Sequence, residues 1–205
     1  MVQKAYFDDV SQEHPAYFAG LLLADGYRTR GYVAIDLKEP DRHVLDQLCE
    51  ELELDNDVRV YSNAKSGFRA NYPRARLVIY DYDIAARLLQ LNVIDRKSSH
   101  LAKVPPIPAS SFHHWVRGYM DGNGGPLKAD VGNHRRTRFN LRGNEPFLAD
   151  LLPRLPGNLR LRRDGVRSQM YTLNAADGLL VGDWMYKDHT VCLHSKWERY
   201  CALTR

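Results

Sequence analysis

The sequence predicts an α+β fold made by pseudo-symmetric duplication of one αββαββα unit, and three observations predict it. The first is a repeated stretch: residues 18–26 read FAGLLLADG and residues 116–124 read VRGYMDGNG. Each opens on an apolar residue, with Gly at the third place, Asp or Asn at the eighth and Gly at the ninth. The second is spacing. Gly20 and Gly118 are 98 residues apart, as are Gly26 and Gly124, and Lys97 and Lys196 are 99 apart. Features repeated at nearly one offset argue for a duplicated unit. The third is element order, because strand pairs separated by single helices suit antiparallel sheets rather than a parallel βαβ array.

In the first half, residues 15–25 form an apolar helix with Pro15 near its first turn. Residues 27–29 and 32–37 make a hairpin around Gly31. Asp41 is placed to cap a helix whose apolar residues Val44, Leu45, Leu48 and Leu52 recur at helical spacing. Residues 58–62 and 75–80 are two further strands, and Asp81 or Asp83 opens a helix reaching Leu91. The second half repeats the order: a helix over 111–122, strands at 127–131 and 137–142, and a helix over 145–152. Strands at 159–162 and 168–173, a helix over 177–186 and a last helical turn at 196–202 complete it. The units divide as 1–104 and 105–205, joined by the stiff stretch KVPPIP at 103–108.

Composition agrees with a folded core. Of the 205 residues 44% are apolar and 26% charged, which excludes a mainly disordered chain, a collagen and a coiled coil. No apolar run approaches the roughly 20 residues of a membrane span, and residues 1–9 lack the apolar core of a secretory signal. Cys49, Cys192 and Cys201, odd in number and widely spaced, suit a reduced compartment. The net charge of +4 is unevenly spread. Residues 1–105 carry 14 Lys/Arg against 16 Asp/Glu, and residues 106–205 carry 15 against 9, so the second half holds the basic excess.

Asp25 is the odd residue of the first repeat. It stands at the C-terminal end of its helix, where a carboxylate faces the negative end of the dipole. The Gly that follows is the expected terminator. Ala19, Gly20 and Gly118 leave one helix face nearly bare, which allows two helix backbones to approach closely. If the repeated helices pair, Asp25 and residue 123 meet at the base of the pair. Carboxylates converging there call for a divalent cation. Mg2+ takes hard oxygen ligands and shares phosphate oxygens, and metals at a scissile phosphate activate water and stabilise the leaving oxygen. Lys97 and Lys196 are the repeated cations placed to offset phosphate charge.

These stretches resemble the two signature helices of the LAGLIDADG homing endonucleases. RKS at 96–98 before the Pro-rich join, WMY at 184–186 and LHSKWERY at 193–200 extend the resemblance over nearly the whole chain. The resemblance implies a monomer whose two antiparallel sheets form a saddle over duplex DNA, with the signature helices at the interface. It implies Mg2+-dependent cleavage of a long double-stranded target, with Mn2+ or Ca2+ substituting in binding. The enzyme would be intron-encoded or free-standing, and would work in the cytoplasm or another DNA-containing compartment rather than be secreted. The implied metal site is Asp25 and Asn123 with the adjoining Ala24 and Gly122, and the implied catalytic set adds Lys97 and Lys196.

The second stretch departs from the family pattern at Asn123, where an acid is expected. An amide oxygen still ligates a cation but brings no charge. Three readings stay open: an enzyme with one weakened site and a strand preference, a DNA binder that has lost cleavage, or a deliberate isosteric change that holds uncut DNA. A maturase acting on intron RNA is the further alternative. Asp121 matches the family's sixth place and, two residues from Asn123, points elsewhere on the helix.

Candidate DNA contacts follow from strand parity, since alternate residues share a face and Arg, Lys, Asn and Gln read base edges. In the first half these are Arg28 with Arg30, Arg59 with Tyr61, and Arg74 with Arg76. In the second they are Lys128, the run Arg136, Arg138, Asn140 and Arg142, the pair Arg160 and Arg162, and Arg167 with Gln169 and Tyr171. No Cys/His spacing fits a zinc site, and Trp184, Tyr186, Trp197 and Tyr200 are expected in the core.

Overall fold

A computed structural model of the chain describes residues 1–29, 31–62, 73–94, 101–131, 134–164 and 167–204. The first half runs α1 (Glu13–Ala24), β1 (Tyr27–Arg28), β2 (Val33–Lys38), α2 (Arg42–Glu51), β3 (Arg59–Tyr61), β4 (Arg74–Ile79) and α3 (Tyr82–Gln90). The second runs α4 (Phe112–Asn123), β5 (Gly124–Val131), β6 (His134–Gly143), α5 (Glu145–Leu151), β7 (Leu159–Asp164) and β8 (Arg167–Thr172), then α6 (Ala175–Tyr186) and α7 (His194–Thr204). Each half builds one four-stranded antiparallel sheet, ordered β1-β2-β4-β3 and β5-β6-β8-β7. The two orders correspond strand for strand, so the fold is an α+β pseudo-symmetric duplication. No described helix is long and apolar enough to cross a membrane.

Local chemistry explains most element ends. Asp81 caps α3 by accepting the N–H groups of Asp83 and Ile84, both at 2.9 Å. Asn174 caps α6 through the Asp177 N–H at 2.8 Å. Asp41 does not cap α2 as its position suggests. A 3-10 turn over Glu39–Asp41 leads into that helix, and the Asp41 side chain is buried without a cap bond. β5 begins earlier than its apolar pattern indicates, because Gly124 follows Asn123 straight into the strand.

Alternation gives each sheet a buried and an open face. In β4, Ala75, Leu77 and Ile79 are buried while Arg74, Arg76 and Val78 are half-buried on the other side. Phe139, Leu141 and Met170 mark the buried face of the second sheet. Apolar stripes such as Val44, Leu45 and Leu48 of α2, and Ile84, Ala85 and Leu88 of α3, join the same core. Each Leu or Ile so removed from water contributes roughly 1.5–3 kcal/mol. One apolar cluster runs from Phe7 through both halves to Tyr200. Tyr186 and Tyr200 are buried in it, and Trp184 and Trp197 pack against it.

α1 and α4 pack on each other at the centre of the molecule. Their contact needs glycine twice. A Cβ on Gly20 would lie 2.1 Å from the Trp115 carbonyl oxygen, and one on Gly118 would lie 2.0 Å from that of Tyr17. The two glycines thus occupy equivalent places on partner helices, with the buried Ala19 beside them.

Candidate functional site

The helix pair brings its two C-terminal ends together. Asp25 is the exposed C-cap of α1, its backbone N–H bonded to Leu21 O at 2.9 Å. Asn123 closes α4, and its Nδ2 donates to the Ala24 carbonyl at 3.4 Å. The reverse orientation of the amide would set two oxygens against each other. Gly122 is where the ends touch. A Cβ there would lie 2.4 Å from Ala24 Cβ and 3.3 Å from Asp25 Oδ2. Lys196, in the first turn of α7, reaches the same place and donates from Nζ to the Gly124 carbonyl. Burial lowers its pKa, while the charges of Asp121 and Asp25 act in the opposite sense. Asp25, Asn123, Ala24, Gly122 and Lys196 are therefore neighbours, and Lys97 lies outside the described residues.

The donor set decides how metal would be held. Among the described residues no three of His, Cys, Asp and Glu gather into a cage. Mg2+ keeps several waters and often uses only one or two carboxylates. Asp25 fits that requirement. Asn123 offers no charge and turns its N–H group toward Ala24, so the arrangement does not fit a second carboxylate-held ion.

Under this base lies a buried polar network. Asp121 accepts from the Tyr17 hydroxyl at 2.8 Å and from the Leu193 N–H at 2.9 Å. Burial pushes its pKa up to about 6, against the pull of those bonds and of Arg117. Arg117 is fully buried in α4. It donates to the carbonyls of Val191 at 3.0 Å and Met185 at 2.7 Å, and to Glu13 Oε1 at 2.6 Å. Glu13 also accepts the Thr190 N–H at 2.6 Å and the Thr190 hydroxyl at 2.9 Å. His114 Nδ1 lies 2.8 Å from Arg117, and burial followed by the Arg117 charge lowers its pKa to about 4. The network ties α1 and α4 to the segment between α6 and α7, and so fixes the approach of Lys196. One sequence signal marks it: Arg117 is a lone cation in a helix whose counterpart residue in the first repeat is Ala19.

The open sheet faces carry most of the expected DNA contacts. In the first sheet Arg59 stands opposite Arg76, and Tyr61 opposite Arg74. The Tyr61 hydroxyl donates to Asp36 Oδ1 at 2.7 Å, and Arg74 donates to the Asp36 carbonyl at 3.0 Å. Arg28 does not join them. It pairs with the buried Val33, and its Nε donates to the Ala85 carbonyl of α3 at 3.1 Å. β1 is only two residues long and takes its phase from β2, which puts Tyr27, not Arg28, on the open side. Arg30 lies outside the described residues.

In the second sheet Arg138, Asn140 and Arg142 take the phase opposite to Phe139 and Leu141. Asn140 pairs with Tyr171, Arg142 with Gln169, Arg160 with Tyr171 and Arg162 with Gln169. The Arg138 guanidinium lies 5.9 Å from the centre of the Tyr171 ring. Arg136 and Arg167 fall in the same phase of their strands, paired with Ala129 and Asp164. Lys128 does not. It pairs with Thr137, one step out of phase with Arg136 and Arg138.

No protein-family model matches the sequence, and no curated protein sequence matches it. Solved structures do match. The LAGLIDADG meganuclease I-AabMI, bound to uncleaved DNA, superposes with a TM-score of 0.59 at 14% identity over 93% of this chain and 90% of that one. The homing endonuclease I-DmoI, in complex with DNA and Mn, gives 0.56 at 13% identity over 88% of this chain and 99% of that one. The N-terminal LAGLIDADG domain of DUF199/WhiA gives 0.54 at 11% identity over 96% and 94%. Paired signature helices, duplicated antiparallel sheets and these superpositions agree: the chain has the LAGLIDADG fold.

Proposed function

We propose that the chain binds a long duplex DNA site across both sheets and hydrolyses its phosphodiester bonds with a divalent metal, cutting one strand in preference to the other. One observation carries the reading. Among the described residues one exposed carboxylate, Asp25, sits with Asn123 and Lys196 where the paired helices end. Residues 1–104 and 105–205 act as two repeats of a monomer, each covering one half-site, in an intracellular compartment that holds DNA.

Bound Mg2+ supplies Lewis-acid polarisation of the phosphate and a water of lowered pKa. Asp25 would hold it, with the Ala24 backbone beside it. Asp25 thus serves one scissile phosphate with full charge, while Asn123 leaves the other poorly served. The Lys196 ammonium offsets charge on the phosphate, and its burial strengthens that effect. The DNA-bound state of I-AabMI and I-DmoI supports the duplex partner, and the Mn in one of them supports a divalent metal.

A specific observation favours a second reading, a non-cleaving binder of DNA or of intron RNA. The Asn123 amide spends its N–H on the Ala24 carbonyl and brings no negative charge to the helix ends. Selecting the bound site from a randomised duplex library and placing it in a supercoiled plasmid separates the readings. With Mg2+, accumulation of nicked circles supports the strand-biased enzyme. Intact plasmid under tight binding supports the binder, and tighter binding to folded RNA supports the maturase form of it.

A further inference from the structure

A cleft on the first sheet sets aromatic rings beside two of the arginines expected to contact DNA. Its volume is about 340 Å3, and it is lined by Tyr32, Tyr80, Arg59, Arg76, Asn56 and Asp57. The volume falls within the roughly 300–1,000 Å3 of small-molecule sites. The rings of Tyr32 and Tyr80 stand 5.7 Å apart at 53°, and Tyr27 extends the group with its centroid 6.1 Å from Tyr32. Tyr80 is 72% exposed, so packing does not account for its position. Arg59 and Arg76 lie directly opposite each other on neighbouring strands, with Asp36 opposite Arg76 on its other side, so a bound phosphate adds a second counter-charge to the two guanidinium groups. Arg76 is also held over the Tyr27 ring at 5.4 Å. The Asn56 Nδ2 donates to the Val78 carbonyl at 3.0 Å, which fixes the amide at the cleft wall.

We infer that this cleft holds one unstacked nucleotide of the bound DNA. The base stacks on Tyr80 and Tyr32, the phosphate meets Arg59 and Arg76, and Asn56 and Asp57 meet the base edge. A base inside an intact duplex has neighbours on both faces, so only one taken out of the stack presents a face to the rings. Stacking on aromatics is tolerant of sequence. It gives the first sheet a grip that does not depend on charge, in the half of the chain where acids outnumber bases by 16 to 14 over residues 1–105. The inference rests on the proposal that DNA lies across the sheets.

The test compares the full chain's affinity for a short fluorescein-labelled duplex and for the same duplex with one unpaired adenine inserted. The bulged duplex should bind roughly 5-fold tighter or more, and the ratio should persist as salt is raised. Tyr80→Ala should abolish the ratio, because it weakens binding of the bulged duplex far more than binding of the perfect one. Tyr82→Ala, also 72% exposed but outside the cleft, should preserve it. Equal binding of both duplexes, or a preference that survives Tyr80→Ala, overturns the inference and leaves DNA binding standing. Binding of neither duplex overturns the DNA proposal and this inference with it. Preference for single-stranded RNA of the same sequence overturns the assignment to DNA.

Discussion

Asn123 determines what the base of the helix pair needs. Its amide donates to the Ala24 carbonyl, so a neutral hydrogen bond joins the ends of α1 and α4. Asn123→Asp replaces that donor with a carboxylate beside Asp25 and the Ala24 oxygen, where like charges repel. The variant should melt lower than the wild type in chelator and recover as Mg2+ is added, because a ligand bound only by the folded state stabilises it. The wild-type melting temperature should move less. Equal responses to Mg2+ in thermal melts would contradict this role for Asn123. Asp25 and both interface glycines were legible because the repeat is local in sequence. The Arg117–Glu13 pair was not, since its partners are 104 residues apart and only the helix packing joins them.

Asp121 and His114 give the same region a pH signature. Burial holds the Asp121 pKa at about 6 against its ordinary 3.8, so its share of stability is present below pH 3.8 and is lost as pH rises toward 6. His114 has the opposite sense. Its pKa is depressed to about 4 from 6.5, so its share is present above pH 6.5 and is lost as pH falls toward 4. The two oppose each other in the shared window. Asp121→Asn keeps an acceptor for Tyr17 and Leu193 but removes the acid's half of the balance. Its stability should therefore rise more steeply from pH 4 to 6.5 than the wild type's. Urea midpoints across that range test it, and parallel curves would count against it.

At the scale of elements, the helix pair and the sheets make separate demands. Gly20→Ala or Gly118→Ala drives a methyl into a backbone carbonyl, at 2.1 Å or 2.0 Å. Backbone cannot yield as a flexible side chain does, so each should cost about 2–3 kcal/mol or more in chemical denaturation. A loss below about 0.5 kcal/mol, the level of an ordinary surface change, would contradict the close approach. On the sheets, Arg138, Arg142, Arg160 and Arg162 share the open face. Replacing any one that meets phosphate by Ala should reduce the slope of log affinity against log salt by about one. Arg28→Ala should leave that slope unchanged, because Arg28 is bonded to Ala85 on the covered side. The strands themselves were legible from alternation. The face of Arg28 was not, because phase across a two-residue strand is set by pairing with a neighbour, not by spacing along the chain.

For the whole molecule, the duplicated topology makes the two halves alike in shape and unlike in chemistry. The second half has the larger excess of bases, 15 to 9 over residues 106–205, and among the described side chains its open face groups Arg138, Arg142, Arg160 and Arg162. The first has fewer, with Asp36 among them, and a tyrosine cleft at one end of the sheet. Footprinting at rising salt should therefore weaken protection over the second repeat's half-site more steeply than over the first's, and parallel loss would contradict the asymmetry. The overall architecture was legible because duplication writes the same pattern twice. The chemical difference between the halves emerges only when strand pairing sorts residues onto faces. The measurement that bears most directly on function is strand-resolved cleavage of a selected duplex labelled differently on each strand, in Mg2+. The wild type should cut one strand well ahead of the other, Asn123→Asp should cut both at similar rates, and Asp25→Asn should cut neither efficiently. Equal cutting of both strands by the wild type, or undiminished cutting by Asp25→Asn, would contradict a site in which Asp25 carries the charge and Asn123 does not.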